Sequence, residues 1–431
     1  MTETRQWSTL DNAAKIFPPT SSKRDTKVFR FSCELTDNID PVVLQSALGK
    51  ALLRFPFYSS VLKKGLFWYY LEQSGMKATV KEECQFPCRP LYFEDKKSLL
   101  FEVTYYKKRI NVEVYHALSD GAGALNFLRT LTFYYIKEKY SCHVNPYLAL
   151  DYDASPAEKY LDSFAKYYNG EPVKLKSNVK KAFKIRGERF PSYMLGVIEG
   201  RMSVALVLKA AKANGVTLTE FLTAVLIHSI HAVMSLRDEK RPVSISIPVN
   251  LRSYFPTESS RNFFSTTTVS HDFKKQGSSM EEIMASIKAS LHEQLTKEKV
   301  SAKMNGLYAW QDSFVAKLVP LMIKIYVLKI INWFADKEVT ATLSNLGRIS
   351  MPEETEQFVK GFDAFISTKR LHLCLNTFGD ILDISFTSSF ISSDIQKHFF
   401  RTLNSYGVND IEIVSNITET YNPMEEEANA L

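Results

Sequence analysis

Cysteine is scarce in this 431-residue chain: Cys33, Cys84, Cys88, Cys142 and Cys374 make an odd five, without the regular spacing of a secreted disulfide framework. They read as reduced thiols. Cys84 and Cys88 stand four apart with no second cysteine pair or histidine close by, which argues against zinc. Residues 1–7 lack the apolar core of a signal peptide, and with the cysteine usage this predicts a cytoplasmic protein. A long uninterrupted apolar run is also missing. Residues 314–334 come nearest, but Lys317, Pro320, Lys324, Lys329 and Asn332 break them up, whereas a spanning helix needs about twenty mostly uncharged residues. A buried core helix is expected there, with an interfacial helix or the wall of an acyl pocket as the alternatives. No Gly-x-Ser-x-Gly elbow occurs, which argues against a covalent serine hydrolase.

What is present is the material of a large core. Hydrophobic residues make up 45% of the chain, with 29 Phe and 21 Tyr, and the length exceeds what one hydrophobic core usually holds, so two lobes are expected. Period-two patterning predicts strands at 28–35, 58–62, 66–72, 99–106 and 109–115, with Lys107-Lys108 as the last hairpin turn. Asp40-Pro41 marks a helix start, and Leu44, Ala47, Leu48, Ala51 and Leu52 recur at helical spacing behind it. A second helix carries Leu125, Leu128, Leu131 and Tyr135. Downstream, helices are expected at 204–214, closed by Gly215, and at 217–234, 279–297 and 393–403. Strands at 243–251, 263–269, 339–343, 365–367, 371–377, 382–387 and 411–414 are assigned to a second sheet, with Gly379-Asp380 as a hairpin turn. The class is α+β, or mixed α/β, in two lobes of sheet covered by helices. The division expected is residues 1–170, a basic linker at 171–191, and residues 192–431.

The chemistry concentrates at Tyr115-His116-Ala117-Leu118-Ser119-Asp120-Gly121. Ile110, Val112 and Val114 share one face of a strand, and His116 is next in that row, so its imidazole points inward. Asp120 and Gly121 complete His-x-x-x-Asp-Gly at a strand-to-helix junction, where Asp120 can also cap the helix. A histidine so placed can act as general base, taking the proton of an attacking hydroxyl or amine. His228 and His231, three apart on an apolar helix, read as core packing and not as metal ligands.

This pattern resembles the chloramphenicol acetyltransferase and condensation-domain superfamily, and in particular its alcohol acetyltransferase-like branch. Three other segments carry the likeness: Pro248-Val249-Asn250-Leu251-Arg252, similar to a Pro-Val-x-x-Arg strand end; Ser344-Asn345-Leu346-Gly347, similar to a Ser-Asn-x-Gly turn; and the opening Leu10-Asp11-Asn12-Ala13-Ala14. Their order spans residues 7–414. The resemblance implies two chloramphenicol-acetyltransferase-like lobes around a cleft, His116 as base, Gly121 permitting a tight turn, and Asp120 as a structural brace paired with Arg252. An oxyanion donor is needed as well, and Ser265, Thr266 and Asn345 are the candidates. Tyr115 stands where condensation domains usually carry a second histidine, and an Asp-Phe-Gly-Trp-Gly motif is absent; Asn376 to Asp380 occupies the matching region.

The activity implied is acyl transfer from a coenzyme A thioester to an alcohol or amine, without metal, covalent intermediate or permanently bound cofactor. The alternatives are a freestanding condensation-type enzyme fed by a carrier protein, and a catalytically silent relative that binds a small ligand. The net charge of +7 comes partly from Lys174, Lys176, Lys180, Lys181, Lys184, Arg186 and Arg189. They form either a solvated connection or a seat for a polyanion, such as the phosphates of coenzyme A or an anionic membrane surface. Nucleic acid fits poorly, because no recognised nucleic-acid motif accompanies the stretch. A monomer is expected, since two lobes already create a cleft.

Overall fold

The computed structural model describes residues 7–141, 155–170, 180–312 and 317–416; Cys142, Lys174 and Lys176 lie outside the described residues. In the first part of the chain run strands β1 (Trp7–Thr9), β2 (Val28–Leu35), β3 (Ser60–Lys64), β4 (Tyr69–Gln73), β5 (Val80–Glu82), β6 (Phe101–Tyr106) and β7 (Arg109–Tyr115). The second part supplies β8 (Gly196–Ser203), β9 (Val243–Asn250), β10 (Phe264–His271), β11 (Ala341–Ile349), β12 (Val359–Ile366), β13 (Leu371–Phe378), β14 (Ile381–Ser388) and β15 (Glu412–Ser415). The main helices are α1 (Pro41–Arg54), α2 (Gly121–Lys139), α3 (Val204–Ala213), α4 (Leu218–His231), α5 (Met280–Gln294), α6 (Lys297–Asp312), α7 (Leu321–Lys337) and α8 (Asp394–Ser405).

Strand β7 is buried on both sides, for two different reasons. Ile110, Val112 and Val114 join Phe29, Phe31 and Cys33 of β2 in a core that also takes up the apolar stripe of α1. On the opposite face Asn111 accepts from Ser32 at 2.7 Å and Glu113 accepts from Arg30 at 2.8 Å, so the buried polar groups are partnered. Asp40 caps α1 by accepting from the amides of Val42 and Val43, and Pro41 occupies the first helical position as expected. In the other lobe, seven strands in the order β10-β9-β11-β13-β14-β8-β15 lay Ile245, Leu343, Leu373 and Ile384 against α4, α5 and α8.

Sheet membership departs from the sequential division in one respect that shapes the molecule. The strand expected near Phe365 in the second sheet is β12, and it pairs antiparallel with β2 in the five-stranded sheet β12-β2-β7-β6-β5, with Ala364 opposite Phe31. Its neighbours along the chain, β11 and β13, belong to the seven-stranded sheet. The chain therefore crosses from one lobe to the other and back, a long-range pairing that local periodicity does not encode. Three further differences follow from tertiary context. β4 pairs with both β1 and β3 in a separate small sheet. Ser344 to Gly347 lies inside β11 at an irregularity between Asn345 and Arg348, with Gly347 at φ +77°, and is not a free turn. Helix α7, expected as core, buries only Leu321, Lys324 and Leu328.

Where the lobes meet, two guanidiniums hold four carboxylates. Arg201 of β8 reaches Glu34 at 2.9 Å, Asp363 at 2.9 Å and Asp383 at 3.3 Å, while Arg109 of β7 reaches Glu199 at 3.1 Å and Asp363 at 3.5 Å. Burial, together with the neighbouring Asp363 carboxylate, raises Glu199 and Asp383 above the ordinary carboxylate range. A raised carboxyl pKa favours folding at low pH and weakens it as pH climbs through the folded value. Hence Asp383→Asn, which removes charge from an acid-rich cluster, is expected to leave stability to denaturant at pH 8 equal to or above that of the parent. Arg201→Met, which strands the carboxylates, should cost about 3 kcal/mol; equal losses from both variants would refute the electrostatic account.

Candidate active site

His116 ends the buried row of β7. Its backbone amide donates to the carbonyl of Lys27 at 2.8 Å, extending the pairing with β2 by one residue. Phe17 stacks on the imidazole at 4.3 Å and Phe29 meets it edge-on at 5.0 Å. This apolar collar depresses the imidazole pKa below its ordinary value through burial, with Asp120 and the Asn262 hydrogen bond opposing the shift. The ring is thereby held neutral near pH 7.

The tautomer follows from a relay of three residues. His116 Nδ1 lies 3.0 Å from Asn262 Oδ1. Asn262 Nδ2 donates to Asp11 Oδ2 at 3.2 Å, which directs its carbonyl oxygen to the imidazole and makes Nδ1 the protonated nitrogen. Nε2 then carries the lone pair. Asp11 is completely buried, and burial pushes its carboxyl up to about 6 against the pull of Arg261, whose Nε lies 3.5 Å away. Asp11 sits in the Leu10 to Ala14 segment already singled out by resemblance, so it was visible there without a role. Asn262 belongs to no motif, and only the fold places it.

Asp120 does not touch the imidazole through a hydrogen bond. Its Oδ1 accepts from the amide of Gly123 at 2.9 Å, the helix-capping contact, and its Oδ2 accepts from Arg252 Nη1 at 2.7 Å and from the amide of Phe263 at 2.8 Å. Arg252 also donates to the carbonyls of Ser259 and Arg261, each at 2.7 Å, and Ser119 Oγ donates to the carbonyl of Ser260 at 2.6 Å. The pair thus clamps residues 259–263, the segment that carries Asn262. The glycine demanded by this junction is not Gly121. A Cβ there would meet Leu346 and Phe31 at ordinary contact distances, whereas one on Gly123 would lie 2.1 Å from the Ser260 carbonyl oxygen. Gly123 lets the helix N-terminus approach the clamped segment, a requirement set across the lobe interface and so absent from local pattern.

His116 lines a cavity of about 1030 Å³ together with Phe17, Ser246, Phe264, Ser265 and His372. Ser265 Oγ is buried there without a hydrogen-bond partner, and Thr266 lies on the same wall. Asn345 is not brought to this cavity: its side chain is exposed, donating to Thr219 at 2.9 Å and accepting from the Gly347 amide at 2.8 Å. Its expected contact with reacting atoms is therefore corrected to a structural role in the β11 irregularity. His372 of β13 was not anticipated. Its Nε2 lies 2.8 Å from Ser344 Oγ, and burial, with His116 nearby, pushes its pKa down to about 3.

A second cavity, of about 710 Å³, is lined by Lys23, Arg24, Lys184, Arg189, Lys369 and Arg370, with Asp336 as its acid. Asp336, Lys369 and Arg370 line both cavities. Burial, followed by the charge of Arg370, lowers the Lys184 amine to about 8. Among the described residues no cluster of His, Cys, Asp and Glu could hold a metal ion; His231 instead stacks on Phe273 and pairs with Glu239 at 2.9 Å.

Residues 201–377 match the model of the alcohol acetyltransferase family. No curated protein matches the sequence. Solved structures share the fold over nearly the whole chain. The trichothecene 15-O-acetyltransferase TRI3 of Fusarium sporotrichioides is 12% identical with a TM-score of 0.62, covering 94% of this chain and 95% of its own. TRI101 of F. graminearum, complexed with ethyl coenzyme A, is 9% identical with a TM-score of 0.63, covering 95% and 100%. The first condensation domain of the CDA synthetase is 13% identical with a TM-score of 0.58, covering 95% and 98%. With this fold and the family match in its second lobe, the protein resembles the chloramphenicol acetyltransferase and condensation-domain superfamily in its alcohol acetyltransferase-like branch.

Proposed function

We propose that the protein transfers an acyl group from a coenzyme A thioester to an alcohol or amine, with His116 as general base. The observation that carries this reading is the Asp11–Asn262–His116 relay, which leaves Nε2 of a neutral imidazole as the nitrogen available to the cavity. Nε2 removes the acceptor proton as its oxygen or nitrogen attacks the thioester carbonyl. The tetrahedral intermediate collapses by breaking the carbon–sulfur bond, and the imidazolium returns the proton to the departing thiolate. Ser265 Oγ, buried and unpartnered on the cavity wall, is the candidate donor to the oxyanion. The cationic second cavity, which shares Asp336, Lys369 and Arg370 with the lining of the first, offers charge for the coenzyme's phosphates. The complexes of TRI101 with coenzyme A are consistent with such a donor. Tyr115, buried and hydrogen-bonded to Ser21 at 3.0 Å, occupies the place of a second histidine and favours a free coenzyme over a carrier protein as donor.

Thiol release from acyl-CoA, measured against a panel of alcohols and amines, tests the reading directly. His116→Ala should lose about 10²- to 10⁴-fold in kcat while keeping the parent's melting temperature; an unchanged rate removes the base assignment. A protein that refuses every CoA thioester but accepts a carrier-bound one would move it to the condensation type. Because the active imidazole is the deprotonated one, kcat/KM should fall as pH drops through an apparent pKa below about 6.5, on a limb shared by His116 and Asp11.

Asn262→Ala should lower kcat roughly three- to tenfold, the worth of one hydrogen bond that selects a tautomer, and should shift the acid limb of the pH profile. A variant changed only in melting temperature would make Asn262 merely structural. Ser265→Ala should cost about 10²- to 10³-fold in kcat with little change in KM; a loss confined to KM would reassign Ser265 to substrate binding.

A further inference from the structure

Helix α7 inverts the arrangement of an ordinary surface helix. The side it turns to the protein is narrow, carries Leu321, Lys324 and Leu328, and includes a charge. Lys324 is buried, donates to the carbonyl of Phe67 at 2.9 Å and sits 3.7 Å from the centre of the Trp68 ring. The side it turns outward is apolar: Ile323 is 54% exposed, Tyr326 64%, Ile330 56% and Trp333 56%. The carbonyl of Leu66, whose side chain is 74% exposed in the β3–β4 turn, accepts from the Leu321 amide. An aqueous surface does not select such a helix.

We propose that α7 is a docking helix for an anionic phospholipid bilayer, lying in the plane between headgroups and acyl chains. Charge and chemistry choose this occupant. No Asp or Glu occurs from residue 317 to 335, and Asp336, the first acid, is held by Lys369 at 2.8 Å and by Arg370. The charges on the outward face are the cations Lys329 and Lys337, set among aliphatic side chains with Trp333 and Tyr326, and Glu338 follows only at the helix end. Basic residues flanking an apolar face with Trp and Tyr match the headgroup boundary of an anionic membrane. Seventeen residues span about 26 Å, and among the described residues no single helix is long and apolar enough to cross a membrane, so the helix lies on the surface.

The docked helix is also a wall of the His116 cavity, to which it contributes Ile331, Asn332, Phe334 and Ala335. Docking would set that wall against lipid and give apolar molecules a route into the cavity without passing through water. This consequence rests on the acyl-transfer reading; the docking itself does not.

Flotation of the full-length protein with vesicles tests it. Binding is expected to be weak on phosphatidylcholine alone, strong when phosphatidylserine is included, and reduced by salt. Ile330→Glu with Trp333→Glu, residues that do not line the cavity, should lower partitioning by roughly tenfold or more while melting temperature and thiol release with water-soluble substrates stay at parent values. Lys329→Glu should weaken binding only on the anionic vesicles. Parent protein that remains unbound on both compositions overturns the proposal. So does a concentration-dependent dimer, seen by light scattering, that dissociates in the double variant without any vesicle binding, because it assigns the face to a second copy of the chain. Flotation needs no turnover, so loss of the acyl-transfer reading and loss of the docking reading give separate results.

Discussion

The Asp120–Arg252 ion pair is the contact on which the rest of the site depends. Asp120 comes from the junction of β7 and α2, Arg252 from the end of β9, and the carboxylate shares itself among a helix amide, a guanidinium and the Phe263 amide. With Arg252 also holding the carbonyls of residues 259 and 261, this one pair fixes the backbone beside Asn262. A bidentate, planar donor is suited to this because it can serve several acceptors at once, which an ammonium group on a flexible stem does less well. The aspartate acts on His116 through a neighbouring segment, not as the third member of a triad.

Burial then does the chemical work. The imidazole is stripped of water by Phe17 and Phe29 and kept neutral, while the same desolvation raises the Asp11 carboxyl toward 6. These two shifts run in opposite directions because each disfavours the charged form. Arg261 counters the second. His372, buried on the cavity wall and held neutral by the same cause, adds a second uncharged imidazole and so raises no competing charge beside the first.

The two lobes are joined by strand pairing and by charge. β12 inserts a strand from the second half of the chain into the first lobe's sheet, and Arg109 and Arg201 bind acids contributed by both sheets. A cleft bounded in this way is held by hydrogen-bonded pairing and by charge. On the outside, α7 places apolar side chains in water and a lysine against aromatic rings, the reverse of what the core of either lobe does.

Much of the first lobe was legible in the residues. Val28–Leu35, Arg109–Tyr115 and the Asp40-Pro41 helix start fall where alternation and capping put them, because those signals are local and the strands are long. His116, Asp120 and Arg252 were legible from motif and order, and Asp120's capping contact from its place before a helix. Asn262, His372 and the need for Gly123 were not, since each is defined by an atom more than a hundred residues away: the imidazole of His116 or the Ser260 carbonyl. The exposure of α7 and the strand exchange of β12 were misread for a related reason. An apolar run carries no record of whether anything covers it, and a short strand carries none of which sheet it joins. The sequence alone determined where His116 sits and which way its strand points; which of its ring nitrogens carries the lone pair was decided by tertiary structure, because a tautomer is chosen by a hydrogen bond and that bond exists only once the lobes have met.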